Sequence, residues 1–185
     1  MRIISGTYRG RVLKSPSGNK TRPTSDRLRE TLFNVLQTKI DNATRFLDLC
    51  AGTGAIGIEA LSRGAQFAAF VDKSRRACAL IEENLDLLEV PEDQTEVFQS
   101  SADDFLRRQD GNSEGWDIVF FDPPYMEDYS KVLYLISDET KLLKTDGVLI
   151  VEHHAKNILP DAVGELRRWR ILKQGETNLS FYEKN

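Results

Sequence analysis

The strongest constraint on the fold is a regular alternation of strand-like and helix-like segments from about residue 45 onward. The apolar runs RFLDLC, FAAFVD, TEVFQ, WDIVFF and GVLIVEH alternate with helical patterns at about 55–63, 75–88, 102–109 and 129–143. This order predicts an α/β fold with a mostly parallel sheet and helices on both faces. A short helix is expected at 157–165, and RRWRILKQ and LSFYEK are expected to close a seven-stranded sheet as a strand pair.

The segment before this alternation carries a different charge. RIISGTYRGRVL predicts a small β-hairpin around a Gly-containing turn, and Ser25 is expected to cap a helix at about 26–39. Residues 1–30 hold eight basic and two acidic side chains, a net charge of +6, so the whole-chain charge of −4 leaves −10 for the rest. A basic extension (1–40) on an acidic body (41–185) of a single domain favours contact with phosphates. The alternative is that the basic N-terminal residues form a solvated surface segment with surplus charge.

Composition excludes several other classes of protein. A chain of 185 residues that is 40% hydrophobic can bury one core, and no apolar run is long enough to cross a membrane. The start MRIISGTYRG lacks the apolar stretch of a signal peptide. Cys50 and Cys78 form no C-x-x-C motif, which suits a reducing cytoplasm. His153 and His154 are adjacent in a predicted strand and should face opposite sides, so no metal site is expected. We expect a cytoplasmic monomer.

Ligands of parallel α/β sheets lie beyond the carboxyl ends of the strands, so the residues after each strand are the first candidates. After the first strand, Gly52, Gly54 and Gly57 form G-x-G-x-x-G before a helix, where glycines let the backbone approach a ligand. This pattern alone also suits a nicotinamide or flavin site, or a simple tight turn. Asp48 would repel a pyrophosphate and attract an ammonium group, and Asp72 is placed for ribose hydroxyls. Together these favour S-adenosylmethionine, although Asp48 could instead be a local cap of the loop.

Other residues near these strand ends complete the predicted donor site. Ala51 and Thr53 lie in the glycine loop, and Lys73 follows Asp72. Ser101 and Ala102 follow the third strand, where backbone or hydroxyl groups would meet the adenine ring. The neighbouring residues Asp103 and Asp104 can be explained simply as acidic residues at a helix N-terminus.

A run of Asp122, Pro123, Pro124 and Tyr125 follows the fourth strand. Prolines donate no N–H, so a rigid turn of this kind can leave carbonyl oxygens available as acceptors beside the Asp122 carboxylate. These acceptors match the two N–H groups of an exocyclic amine on a base, and Tyr125 supplies a ring for stacking. The turn is therefore interpreted as a clamp for an amino group, with a purely structural turn as the alternative.

At this point the chain resembles a known family almost from end to end. The segments RIISGTYRGRVL, TRPTSDRLRETLFNVL, LDLCAGTGAIGIEALSRGA, FDPPY and GETNLSFY resemble the RsmD family of class I S-adenosylmethionine-dependent methyltransferases. That family methylates N2 of a guanine in 16S ribosomal RNA, the guanine-966 type. The resemblance implies a Rossmann-like fold. The chain differs from the usual family sequence at three positions. Cys50, Thr53 and Asp72 stand where the family more often has Phe, Ser and Glu.

The resemblance also implies a role for each candidate. Asp48, Gly52 and Gly54 would hold the methionine part of the donor, Asp72 its ribose, and Asp122 through Tyr125 the guanine amine. Arg22 and Arg29 would contact RNA near the active-site opening, with a salt bridge to the acidic body as the alternative. The partner would be 16S ribosomal RNA, either free or within a partly assembled small subunit. The alternatives are a DNA adenine-N6 methyltransferase, a protein glutamine methyltransferase and a catalytically silent RNA-binding domain.

Overall fold

Strands and helices alternate along the chain as the sequence predicts. The structure, a computed structural model, describes residues 1–16, 26–109, 114–124, 128–138 and 142–184. In these ranges the helices are α1 (Asp26–Leu36), α2 (Ala55–Ser62), α3 (Arg75–Leu88), α4 (Ala102–Arg108) and α5 (Tyr129–Asp138), with a 3-10 helix at Glu92–Gln94. The strands are β1 (Arg45–Leu49), β2 (Phe67–Asp72), β3 (Thr95–Gln99), β4 (Trp116–Phe121), β5 (Leu143–His154), β6 (Ala162–Val163), β7 (Leu166–Gln174) and β8 (Thr177–Lys184).

All of these strands belong to one sheet, in the order β3-β2-β1-β4-β5-β8-β7-β6. The pairs among β1 to β5 are parallel. The pairs among β5, β8, β7 and β6 are antiparallel. The chain moves outward from β1 to β3 and then returns to place β4 on the other side of β1. Such a reversal leaves a crevice at the carboxyl ends of the two central strands, where ligands of these folds bind.

Apolar side chains cover both faces of the sheet. On one face, Phe46 and Phe120 pack in a buried layer with α1, α2, α3 and part of the N-terminal segment. On the other face, Leu47 and Phe121 pack in a second layer with α4 and α5. Successive residues of a strand face opposite sides, so the central strands serve both layers. This double burial explains why their sequences are almost continuously apolar and confirms the predicted architecture.

The sheet has eight strands, one more than predicted. The extra strand is β6, and all of 157–165, where a short helix was predicted, is described and contains no helix. Val163 pairs with Leu166, so Gly164 and Glu165 form a two-residue hairpin turn, with Gly164 at φ 53°. A hairpin this tight uses a residue with positive φ, which helix interiors do not tolerate. The helix prediction missed this turn.

Other boundaries differ by a few residues. α1 ends at Leu36 rather than near residue 39, and Leu143, predicted within a helix, begins β5. The N-terminal hairpin pairs antiparallel through Arg2 and Val12 only, as an isolated bridge rather than two regular strands. Ser25, the predicted cap of α1, lies outside the described residues.

The N-terminal segment 1–16 is attached to the second helix through a buried carboxylate. Glu59 in α2 accepts hydrogen bonds from the backbone N–H groups of Ile4 (2.8 Å) and Ser5 (3.0 Å). Beside it, Gly6 has a φ of 83°, and a Cβ there would lie 1.6 Å from the carbonyl oxygen of Ser62. This close backbone approach requires glycine. The segment is therefore fixed against α2, at the beginning of which the glycine loop lies.

A second contact ties the same segment to the glycine loop itself. Asn84, buried in α3, accepts a hydrogen bond from the backbone N–H of Lys14 (2.8 Å) and donates to its carbonyl oxygen (3.2 Å). The same amide nitrogen donates to the carbonyl oxygen of Thr53 (3.0 Å). One side chain thus holds the segment and the loop in a fixed relation.

Candidate active site

A cavity of about 1190 Å³ opens at the carboxyl ends of β1 to β5. Its walls include most of the residues predicted for the donor and the amine: Asp48, Ala51, Gly52, Thr53, Asp72, Lys73, Ser101, Ala102, Asp122, Pro123 and Pro124. Gly54 is not among the lining residues. The N-terminal segment closes one side through Met1, Ser15 and Pro16. The cavity therefore brings together strand ends that are far apart in sequence.

The loop after β1 has an unusual backbone. Gly52 and Gly54 have positive φ values of 59° and 74°, and Cys50, which is not a glycine, has a φ of 63°. Non-glycine residues seldom adopt this conformation, and it occurs mainly where the surrounding structure imposes it, as at ligand sites. Gly57 has another function, because a Cβ there would lie 2.4 Å from Cε1 of Phe70. It lets α2 pack closely on β2.

Asp48 lies under the glycine loop and is only 1% exposed. Its Oδ2 accepts a hydrogen bond from the backbone N–H of Gly57 (2.9 Å). Burial raises the pKa of Asp48 to about 7, a change that the Gly57 N–H opposes and the nearby Asp72 reinforces. The carboxylate thus caps the loop, as the alternative interpretation held, and also forms part of the cavity wall. The Asp48 carboxylate can do both, because it has several acceptor sites and the Gly57 N–H occupies only one of them.

Asp72 links the ends of β1 and β2. Its Oδ2 accepts a hydrogen bond from the backbone N–H of Gly52 (2.9 Å), and its Oδ1 accepts one from Ser74 (2.8 Å). Lys73 beside it is exposed. Asp72 therefore fixes the glycine loop as well as lining the cavity, and each oxygen retains capacity for a further hydrogen bond.

Ser101 caps α4 at the end of β3. Its Oγ accepts from the backbone N–H of Asp104 (3.3 Å) and donates to a carboxylate oxygen of Asp103 (2.8 Å). That hydrogen bond lowers the pKa of Asp103. The two acidic residues thus occupy the helix N-terminus, as their structural interpretation predicted. Ala102, the first residue of α4, lies at the same edge of the cavity.

Asp122 follows β4 directly and borders the other side of the cavity. Its backbone N–H donates to the carbonyl oxygen of Leu49 (3.3 Å), which ties the turn to the end of β1. Burial raises the pKa of Asp122 well above its usual value, and the negative charges of Glu152 and Asp48 add to the effect. Pro123 is buried and Pro124 is exposed. Tyr125 lies outside the described residues.

Sequence reasoning missed Glu152, which is near the end of β5 and only 6% exposed. It lines the cavity, and its charge acts on Asp122. The signal that could have revealed it is a single carboxylate in the otherwise apolar run VLIVE. Applying the strand-end rule to the fifth strand, as to the other four, would have singled it out.

The structure does not support Arg29 as an RNA contact. Its side chain is 0% exposed, and one terminal nitrogen donates to the carbonyl oxygen of Arg2 (2.6 Å) and to Oδ1 of Asp26 (2.9 Å). Burial lowers its pKa. Arg29 therefore has a structural function in joining α1 to the N-terminal segment, and its ion pair is with Asp26 of the same extension rather than with the acidic body. Arg22, the other predicted RNA contact, lies outside the described residues.

In the part of the chain that the structure describes, no group of three or more His, Cys, Asp or Glu side chains could hold a metal ion. The same residues include no helix with the length and apolar character needed to cross a bilayer.

Several known proteins resemble this chain over nearly its whole length. The family model described as "Conserved hypothetical protein 95" matches residues 1–183. Ribosomal RNA small subunit methyltransferase D of Escherichia coli is 34% identical over 184 residues, covering 100% of this chain and 90% of its own. The protein of the same name from Haemophilus influenzae is 34% identical over 184 residues, covering 98% of this chain and 91% of its own.

A solved structure shows the same agreement in three dimensions. A hypothetical protein of Thermus thermophilus, 30% identical in sequence, superimposes with a TM-score of 0.84 and covers 99% of both chains. Identity of 34% over at least 98% of this chain and 90% of each relative, together with the family match, confirms the resemblance seen in the sequence. The chain belongs to the Conserved hypothetical protein 95 family, the family of the ribosomal RNA small subunit methyltransferases D.

Proposed function

We propose that this protein transfers a methyl group from S-adenosylmethionine to the exocyclic N2 of a guanine in 16S ribosomal RNA, of the guanine-966 type. The observation that carries the proposal is a single cavity with two chemically different sides. One side is the glycine loop with Asp48 and Asp72, and the other is the turn that begins at Asp122. Relatives named ribosomal RNA small subunit methyltransferase D support the coarser part of the proposal, methylation of small-subunit ribosomal RNA.

The first side fits the methyl donor. A buried carboxylate at Asp48 is costly unless a cation or hydrogen-bond donors compensate it, and the α-ammonium of the donor would do so. Asp72 would accept hydrogen bonds from ribose hydroxyls, and Ser101 and Ala102 would border the adenine. When bound, S-adenosylmethionine supplies an electrophilic methyl group on a sulfonium. Arg22 remains a proposed RNA contact on the grounds of charge.

The second side fits the amine that accepts the methyl group. The lone pair of an exocyclic amine is delocalised into its ring, which makes the nitrogen a poor nucleophile. The Asp122 carboxylate and the carbonyl oxygen of Pro123 would accept the two N–H groups and favour a pyramidal nitrogen. The same acceptors stabilise the positive charge that develops during transfer. The methylated nitrogen is acidic and loses its proton readily, so no separate general base is needed. Pro124 rigidifies the turn, and Tyr125 would stack on the base.

The shape of the site limits the substrate. The carboxylates lie inside a cavity, so a base that is stacked or paired in a helix must be unstacked before it reaches them. Exposed RNA loops meet this requirement most easily. A domain of 185 residues has little surface with which to select one site in a long RNA. A partly assembled small subunit is therefore proposed as the substrate, in preference to free RNA.

The test compares substrates prepared from cells that lack this gene. Purified protein and labelled S-adenosylmethionine are incubated with free 16S RNA, small ribosomal subunits, duplex DNA or total protein, and the labelled product is mapped by mass spectrometry. N2-methylguanine at one position in 16S RNA is the expected product, and Asp122→Ala provides the matched inactive control. Label in DNA adenine or in protein glutamine would replace the proposal with one of those activities. Binding of RNA without any transfer would leave only an RNA-binding domain.

A further inference from the structure

Glu152 lies beside Asp122 in the sheet. β4 and β5 are parallel, and Phe121 pairs with Val151, so the next residue of each strand, Asp122 and Glu152, extends from neighbouring positions. Residues two apart in a strand share a face, which places Glu152 on the face of Ile150 and of the layer containing α1 and α2. Both carboxylates line the cavity. The second carboxylate is therefore part of the wall that would meet the base.

Its position is unusual for an acidic side chain. The four residues before it, 148–151, are fully buried and apolar, and Glu152 itself is 6% exposed. Glu152 is buried and Asp122 is partly buried, so two neighbouring carboxylates repel each other and each loses part of its hydration. Such an arrangement is favourable when a ligand brings adjacent hydrogen-bond donors to both.

Among the bases with an exocyclic amine, one has donors in this arrangement. Guanine presents the N2 amine next to the N1–H, so two neighbouring groups on its Watson–Crick edge donate. In adenine the N6 amine is next to N1, and in cytosine the N4 amine is next to N3, and both ring nitrogens accept. A carboxylate facing either of those ring nitrogens would oppose one acceptor with another. The pair of carboxylates therefore selects guanine by the donor beside its amine.

We propose that Glu152 is the specificity-determining residue that accepts the guanine N1–H while Asp122 accepts the amine. This assignment rests on the proposed function and adds the reason why the methylated base is guanine. It also separates the two carboxylates by function. Asp122 contacts the reacting nitrogen, whereas Glu152 contacts a ring nitrogen that undergoes no change.

The test uses a base that keeps the 2-amino group of guanine but lacks both the N1–H donor and the 6-oxo group, so the Glu152→Gln variant is needed to assign the effect to N1. 2-Aminopurine keeps the 2-amino group, but its N1 is an acceptor. 16S RNA carrying guanine or 2-aminopurine at the mapped target, made by splinted ligation and assembled into small subunits, is methylated under single-turnover conditions by wild-type protein and by Glu152→Gln. Asp128→Asn is the matched control, because Asp128 also borders the cavity but is exposed and bonded to Ser130. A melting temperature near the wild-type value confirms that each variant is folded, and calorimetric titration measures its affinity for S-adenosylmethionine.

Wild-type protein should prefer guanine by on the order of a hundredfold, the effect of one charge-assisted hydrogen bond in a buried site. In Glu152→Gln the preference should largely disappear, because the new amide N–H can donate to N1 of 2-aminopurine. Asp128→Asn should keep the wild-type ratio. The inference would be overturned, with the proposed function unaffected, by any of three results. These are equal use of both bases by wild-type protein, an unchanged ratio in Glu152→Gln, or weaker binding of S-adenosylmethionine by that variant. Absence of transfer to guanine by wild-type protein would overturn the proposed function, and the inference with it.

Discussion

The affinity for S-adenosylmethionine should rise steeply with pH below neutrality. In the proposed function Asp48 is ionised when it binds the donor ammonium, whereas burial raises its pKa to about 7 in the free protein. Between about pH 5.5 and pH 7 the ionised fraction of such a group increases from about 0.03 to about 0.5. The α-ammonium stays protonated throughout this range, since its own pKa is about 8. The association constant should therefore increase by roughly fifteenfold.

Calorimetric titration measures this directly. Near pH 6, comparison of buffers with different ionisation enthalpies should show the release of about one proton per donor bound. Asp48→Asn keeps an oxygen that can accept the Gly57 N–H but removes the charge, so its affinity should be weaker and nearly independent of pH. Asp128→Asn should retain the slope, because Asp128 also borders the cavity but is exposed, and its hydrogen bonds to Ser130 lower its pKa. A flat profile for wild-type protein, or an unchanged slope in Asp48→Asn, would refute the assignment.

The raised pKa of Asp48 also predicts how the free energy of unfolding depends on pH. The pKa of Asp48 is higher in the folded protein than its usual value of 3.8, so the folded state binds more protons between about pH 4 and pH 7. This contribution to the free energy of unfolding is favourable at low pH and is lost as the pH rises through that window. A shift of about three pKa units corresponds to a loss on the order of 4 kcal/mol. Denaturant unfolding without donor should therefore show that Asp48→Asn is more stable than wild type at about pH 8, with a smaller difference near pH 5.

Three further substitutions test other parts of the site. Asp122→Asn should slow single-turnover transfer by about a hundredfold with nearly unchanged donor affinity, and near-normal transfer would exclude the amine clamp. Asn84→Ala should lower the free energy of unfolding by about 1–3 kcal/mol and weaken donor binding, because buried backbone groups lose their partners. Glu83→Ala, which removes only an exposed ion pair one residue away, is its control for denaturant unfolding and calorimetry. Gly57→Ala should destabilise by about 1–3 kcal/mol through overlap with the Phe70 ring, and an unchanged melting temperature would show that the ring moves aside.

The alternation of elements and most of the cavity wall were predictable for a simple reason. In parallel strands the carboxyl ends meet at one edge of the sheet, so residues just after each strand converge without any knowledge of strand order. Asp48, Asp72 and Asp122 were found in this way. Glu152 was missed because the fifth strand was considered only as an apolar run, and its closeness to Asp122 depends on the register between β4 and β5. That register includes a shift between Trp116 and Ile118, which cannot be predicted from the local sequence pattern.

Arg29 shows a different limit of sequence reasoning. Its charge was counted with those of its basic neighbours, although the side chain is buried between α1 and the N-terminal segment. Charge can be read from the sequence, but exposure depends on how a segment docks. β6 could not be predicted for a related reason, since two residues carry too little periodicity to distinguish a strand from a helix.

The attachment of the N-terminal segment has a consequence for the order in which the protein is completed during synthesis. The backbone N–H of Ile4 binds a carboxylate 55 residues later, and that of Lys14 binds an amide 70 residues later. These two N–H groups are synthesised before their partners, so they cannot form these hydrogen bonds until α2 and α3 have emerged and folded. Because Asn84 also holds Thr53, the segment and the glycine loop reach their final positions in one late step. A nascent chain would acquire its donor site and the adjoining wall of its cavity together.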